Sequence, residues 1–218
     1  IEKIVARLSI GSNANDRSPD PYIQFEEAPK ILGIEFLGPI LRCIQHHQEM
    51  AFAYKKYTDD AGDESKTVQP YLLKEYRNRW YLIAFDKDKL DYRTYGLDRM
   101  IQVNPLDLFF TPDPSFNPDT FFRHSIGITQ IDTTPSNIEF ECSPLLAKYL
   151  ESQPIHQSQK IQFSEMGTHR VQLHVLITYE LISILRSYGS DVKIIAPDSL
   201  RTRVINDLKI TLKNYSTT

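Results

Sequence analysis

A chain of 218 residues that is 41% hydrophobic and 24% charged has the composition of a globular protein able to bury a core, which argues against disorder. The formal net charge of −3 excludes a protein that coats duplex DNA, because such binding rests on many Lys and Arg contacts to phosphate; any nucleic-acid contact must be local. No run approaches the roughly 20 apolar residues of a membrane-spanning helix, and no signal pattern opens the chain, so a cytoplasmic location without a membrane partner is expected.

The length favours two small domains. Residues 1–8 read as the tail of a helix that began earlier, and residues 9–30, broken by Pro19, Pro21 and Pro29, have a linker's composition, as in a fragment. Over 35–48 the side chains Leu37, Ile40, Leu41 and Ile44 recur at helical spacing, with Pro39 in the tolerant first turn, which predicts a short amphipathic helix. The period then changes to two. Strands are predicted at 50–57, 67–74, 80–85, 92–98 and 100–103, with Tyr76-Arg77-Asn78 as a tight turn and Pro105 ending the fifth strand. One helix and five short antiparallel strands within 35–105 suggest a small β-barrel.

Residues 106–132 carry Pro112, Pro114 and Pro118 and four aspartates against Arg123 alone, so a linker is placed there. Beyond it, strands at 137–142, 160–164, 169–177 and 191–195 alternate with helices at 144–151 and 179–188 in a βαββαβ order. Asp198 caps a last helix on which Leu200, Val204, Leu208 and Leu212 share a face. The expected class is α+β, with a ferredoxin-like domain and an added C-terminal helix over 133–218. Cys43 and Cys142 lack metal-ligand spacing and are expected as buried reduced thiols.

On the third strand Trp80 and Leu82 are expected in the core. On the fourth, Arg93, Tyr95, Leu97 and Arg99 share a face, and two arginines beside an aromatic suit a shallow anion site. Residues 66–99 hold eight Lys and Arg against five acidic residues, and Tyr54, Tyr71, Tyr81, Tyr92 and Tyr95 offer rings on which bases could stack. The other reading is that Arg93 and Arg99 pair with Asp91 and Asp98 on a solvated surface.

The blocks Pro70-Tyr71-Leu72-Leu73, Arg79-Trp80-Tyr81-Leu82 and Tyr92-Arg93-Thr94-Tyr95-Gly96-Leu97-Asp98-Arg99-Met100, in this order, resemble the WYL domain, over roughly residues 33–104. His156-Gln157-Ser158-Gln159 and the segments 181–189 and 192–197 are similar to the C-terminal extension that follows such domains. The resemblance implies an Sm-like barrel in the ligand-sensing part of a bacterial transcription regulator, not an enzyme, with no cofactor and no metal. It also implies a nucleotide-like or single-stranded nucleic-acid effector, with Arg93 and Arg99 on phosphate, Arg79 assisting, and Tyr54, Tyr71 and Tyr95 shaping the pocket. Duplex DNA would then be reached only through a winged helix-turn-helix outside this chain, and a homodimer is expected. Two further readings stand beside this one. In the first, both domains form an assembly module that only dimerises, partly through the last helix. The second is a hydrolase, which no Gly-x-Ser-x-Gly elbow or phosphate-binding glycine loop supports. His46 and His47 are adjacent and so diverge by about 100° on a helix, which disqualifies them as a metal pair.

Overall fold

The computed structural model describes residues 32–55, 57, 62–131, 133–164 and 167–216. The predicted helix tail at 1–8 and the linker at 9–30 lie outside them. Helix α1 (Leu37–His46) leads the first domain and ends at His47, whose φ of 51° is left-handed. Ile40 and Cys43 face inward with no exposure, whereas Leu41 is 47% exposed. Leu41 was expected on the same side, but one residue of advance turns a side chain by about 100° and carries it off the buried stripe.

Strands β1 (Gln48–Tyr54), β2 (Glu64–Tyr76), β3 (Arg79–Asp86), β4 (Asp91–Gly96) and β5 (Met100–Phe109) form one antiparallel sheet in the order β4-β3-β2-β1-β5. The β2–β3 hairpin turns through Arg77 and Asn78, with φ of 51° and 59°. Two consecutive positive φ values define the two-residue turn whose twist matches that of paired strands. Pro70 sits in the central strand at a register shift before Leu72, where the interrupted ladder absorbs its missing N–H. The fifth strand continues through Pro105 instead of stopping before it. It is an edge strand, and Pro105 lies opposite Met50 beside another register shift, so no donor is missed.

The predicted barrel does not close among the described residues. β4 and β5 are the two edges of the sheet and do not pair. Only the 3-10 turn Leu97–Arg99 separates them in the chain, so the sheet must curl until three residues can span the gap. β1 holds both sides of this gap: the Lys55 N–H donates to the Arg99 carbonyl at 2.9 Å, extending the β1–β5 pairing past Tyr54 and Met100, and the Gly96 N–H donates to the Tyr54 hydroxyl at 3.0 Å, tying the end of β4 to β1. Inside the curl, Phe52, Val68, Leu82, Ala84, Tyr95 and Leu97 pack with α1, and Trp80 covers them from the side.

Helix α2 (Pro118–Phe121) is a single turn between the domains, with the Asn117 side chain accepting from the Asp119 N–H. The second domain runs β6 (Ser136–Cys142), α3 (Pro144–Ser152), β7 (Lys160–Gln162), β8 (His169–Val175), α4 (Tyr179–Ser187), β9 (Val192–Ala196) and α5 (Asp198–Ser216). Its strands are antiparallel in the order β7-β8-β6-β9. The molecule is therefore α+β with two antiparallel sheets. Phe140, Val171, Leu150, Leu181 and Leu200 form the core under α3 and α4, while Glu139, Glu141, Arg170 and Lys193 pair across the outer face. Of the side predicted on the last helix only its start is buried: Leu200 is 1% exposed, but Leu208 and Leu212 are 54% and 66% exposed. Cys43 and Cys142 are free and buried, and burial pushes both thiols up from their ordinary range. No helix among the described residues is long and apolar enough to cross a membrane.

Candidate functional site

The β3–β4 ladder sets Tyr81 opposite Gly96, Ile83 opposite Thr94 and Phe85 opposite Tyr92. Alternation places these six on one face, and Leu82, Ala84 and Tyr95 on the other, towards α1. Over the first face opens a cleft of about 410 Å3. The first domain contributes Tyr54, Tyr57, Arg79, Tyr81, Tyr92, Arg93, Thr94, Gly96, Asp98 and Arg99, and the interdomain segment adds Phe121, Ile128, Thr129 and Gln130. A Cβ at Gly96 would come within 2.5 Å of the Asp98 carboxylate and 3.7 Å of the Tyr81 ring, so a side chain there would displace Asp98.

Three arginines face one aspartate in this lining, so the cleft is positive although the chain is acidic. Arg99 lies on the 97–99 turn, where its guanidinium sits 4.4 Å from the Tyr54 ring centre and 4.3 Å from that of Tyr57, and its Nε donates to the Lys55 carbonyl. Stacking on both rings fixes the guanidinium without neutralising it. Arg99 has no carboxylate partner among the described residues; Asp98 turns instead to Arg79, 3.8 Å away, and to the Tyr57 hydroxyl. Arg93 does pair with Asp91, at 3.1 Å, with both side chains more than half exposed. Such a pair is weak and leaves the guanidinium available to a stronger anion.

The predicted residues thus divide. Arg79, Arg93, Arg99 and Tyr54 line the cleft, and Tyr71 and Tyr95 do not. Tyr95 is 5% exposed in the first core, edge-on to Phe52 and Tyr54, with its hydroxyl donating to Asp86. Its expected partnership with Arg99 fails because the 3-10 turn interrupts strand alternation after Gly96. Tyr71, turned by the shift after Pro70, packs on Tyr92 and Phe116 one ring behind the cleft, and its hydroxyl accepts from the Asp113 N–H. Burial, Tyr71 and Asp113 together push the Tyr92 hydroxyl far up, and burial raises Tyr54 and Tyr81 as well, so all three rings stay neutral.

Sequence reasoning missed Tyr57 and the whole contribution of 121–130, which it took for linker. The signal present was Phe121-Phe122 with Ile126 and Ile128, an apolar pattern a solvated linker would not carry. The segment is packed on both sides: Lys74 from β2 sits 3.6 Å over the Phe122 ring, and the Leu176 N–H beyond β8 donates to the His124 carbonyl. Among the described residues no three His, Cys, Asp or Glu side chains gather to hold a metal ion.

Residues 35–105 match the family model of the WYL domain, and residues 134–212 that of the WCX domain. The chain belongs to the WYL-domain regulator family. It is similar to the proteasome accessory factor B/C (PafBC) of Arthrobacter aurescens, 20% identical over 90% of this chain and 29% of that one, with a TM-score of 0.40. It is also similar to a CRISPR Cas-related protein, 10% identical over 84% of this chain and 52% of that one, with a TM-score of 0.53. The second likeness is one of fold. The chain spans 29% and 52% of the lengths of these two proteins.

Proposed function

We propose that this chain is the effector-sensing region of a bacterial transcription regulator and that its cleft binds a nucleotide-like or single-stranded nucleic-acid ligand. The observation that carries this reading is the convergence of Arg79, Arg93 and Arg99 with tyrosine rings on one open cleft. Guanidinium forks match phosphate oxygens, and the exposed Tyr57 ring, with the partly exposed Tyr81 and Tyr92, can stack on a base of any identity. A volume of about 410 Å3 lies within the range of small-ligand sites. The ligand would act by biasing DNA binding through a winged helix-turn-helix outside this chain, in the cytoplasm and without enzymatic activity. The helix-led strand order of the first sheet supports an Sm-like path with its seam bridged by the 97–99 turn, and β7-β8-β6-β9 supports a ferredoxin-like second domain.

The test is fluorescence anisotropy with labelled oligothymidylate. The Arg93→Ala/Arg99→Ala double variant should lose about tenfold or more in affinity while still unfolding cooperatively, with a small fall in thermal midpoint from the lost Arg99 contacts to Tyr54, Tyr57 and Lys55. Retained affinity removes the phosphate assignment.

A second reading, the dimerising assembly module, is favoured by α5, where Ile205, Leu208, Leu212 and Tyr215 recur at heptad spacing and are 40%, 54%, 66% and 81% exposed. Light scattering on the wild type and on Leu208→Glu/Leu212→Glu checks it. A wild-type dimer that the substitutions dissociate supports the homodimer, and a monomeric wild type ends that proposal.

A further inference from the structure

Where the interdomain segment lines the cleft, at Ile128 and Thr129, its hydrogen bonds to the described residues of the second domain all go to one carboxylate. Glu180, in the first turn of α4, is 8% exposed. Its Oε1 accepts from the Ile128 N–H at 3.3 Å, the Thr129 N–H at 3.1 Å and the Thr129 hydroxyl at 2.8 Å. Ile128 and Thr129 both line the cleft. The Ile128 carbonyl also accepts from the Thr94 hydroxyl of β4 at 3.5 Å and the Thr129 carbonyl from the Ser125 hydroxyl at 3.1 Å, so Glu180 supplies the bonds that reach these two residues from the second domain.

Two features set Glu180 apart from a merely structural buried acid. Its Oε2 has no hydrogen-bond partner among the described residues, a shortfall that native structures rarely tolerate without a reason. The segment is also clamped too closely for ordinary chain: Gly127 has φ +88°, and a Cβ there would come within 2.9 Å of both Glu180 Cγ and Tyr76 Cζ. Tyr76 ends β2 and Glu180 begins α4, so the cleft wall is pinched between the two domains. Lys74, beside Phe122, is the cation whose charge acts on Glu180.

We propose that Glu180 is a positioning residue for the cleft: from the second domain it holds Ile128 and Thr129 in place, so that the binding competence of the first domain is set by the start of α4. A ligand that engages Thr129 or Gln130 is then felt at α4, and movement of α4 changes ligand affinity by the same factor. The effect on affinity rests on the ligand reading of the cleft; the anchoring of the wall does not.

The experiment uses the whole chain and two readouts, amide-resolved hydrogen exchange without ligand and anisotropy with fluorescein-labelled oligothymidylate of about eight nucleotides. In Glu180→Ala, exchange at the Ile128 and Thr129 amides should rise about tenfold or more while Leu82 and Ile83 in β3 stay protected, and the oligonucleotide Kd should rise about tenfold. Glu180→Gln, which keeps an acceptor without the charge, should fall between. Unchanged exchange at the two amides in folded Glu180→Ala overturns the proposal, as does faster exchange with an unchanged Kd. A wild type that binds no oligonucleotide overturns the ligand reading instead, and exchange alone then decides whether Glu180 holds the wall. Should Glu180→Ala not fold, Thr129→Val removes only the hydroxyl donor and is read in the same way, with a rise of about threefold expected.

Discussion

At the scale of single residues, the first core holds a polar pair that stays out of the cleft. Tyr95 donates its hydroxyl to Asp86, which is 1% exposed and also accepts from the backbone N–H groups of Asp88 and Lys89. Removing the hydroxyl leaves a buried carboxylate short of a donor, so Tyr95→Phe should lower stability by about 1–3 kcal/mol in urea unfolding. Because the ring points away from the cleft, oligonucleotide affinity should stay within about twofold of wild type. Burial alone would raise the Asp86 carboxyl, but the bonds from Tyr95, Lys89 and Asp88 and the charge of Lys66 outweigh it and hold the group below its ordinary range. A carboxyl depressed in the folded state contributes stability above its unfolded value, about 3.9, and loses it as pH falls through the folded value. Stability should therefore decline below about pH 4, and Asp86→Asn should flatten that part of a urea-midpoint profile against pH. An unaltered acid limb would mean that other carboxylates dominate there.

At the scale of elements, the turn that carries Arg99 is fixed by backbone contact. Gly33, at φ +79°, lies so close to the 97–99 turn that a Cβ would meet the Leu97 carbonyl oxygen at 2.3 Å and its carbon at 2.4 Å. Neither partner is a side chain that can swing aside. Gly33→Ala should destabilise the protein by about 2 kcal/mol or more, and should weaken oligonucleotide binding by displacing Arg99. A melt and an affinity both equal to wild type would refute that coupling. The same element marks where the sequence stopped being legible. The β2–β3 hairpin could be read because Arg77 and Asn78 need only local turn chemistry, and the class of each domain because periodicity is local too. The seam at 97–99 could not, since three residues look alike whether they continue a strand or turn out of it. Nor could β5 beyond Pro105, because a proline is tolerated only when the strand lies at an edge, which sheet order decides. Part of the site was visible as basic and aromatic side chains: Tyr54, Arg79, Tyr81, Tyr92, Arg93 and Arg99. Phe121, Ile128 and Thr129 were not, because their partners, Tyr92 and Glu180, lie far away in the chain.

At the scale of the whole molecule, charge restricts how a nucleic acid can be held. The chain carries a formal −3, yet the cleft gathers three arginines against Asp98 alone, so attraction is confined to one opening on an otherwise acidic protein. Each phosphate contacted on a single strand releases about 0.7 of a counterion, so three guanidiniums allow a slope of log affinity against log salt of about −2. Anisotropy titrations with oligothymidylate at several salt concentrations measure this directly. A slope near zero would mean that the arginines do not meet phosphate. A slope of about −5 or steeper would require cations outside the cleft, moving the binding surface away from the β3–β4 face. The slope should not steepen as the oligonucleotide is lengthened, because the chain outside the cleft is net acidic and offers further phosphates no net attraction. Length-independent salt dependence is the signature that separates a sensor filled by a short ligand from a platform that tracks a strand.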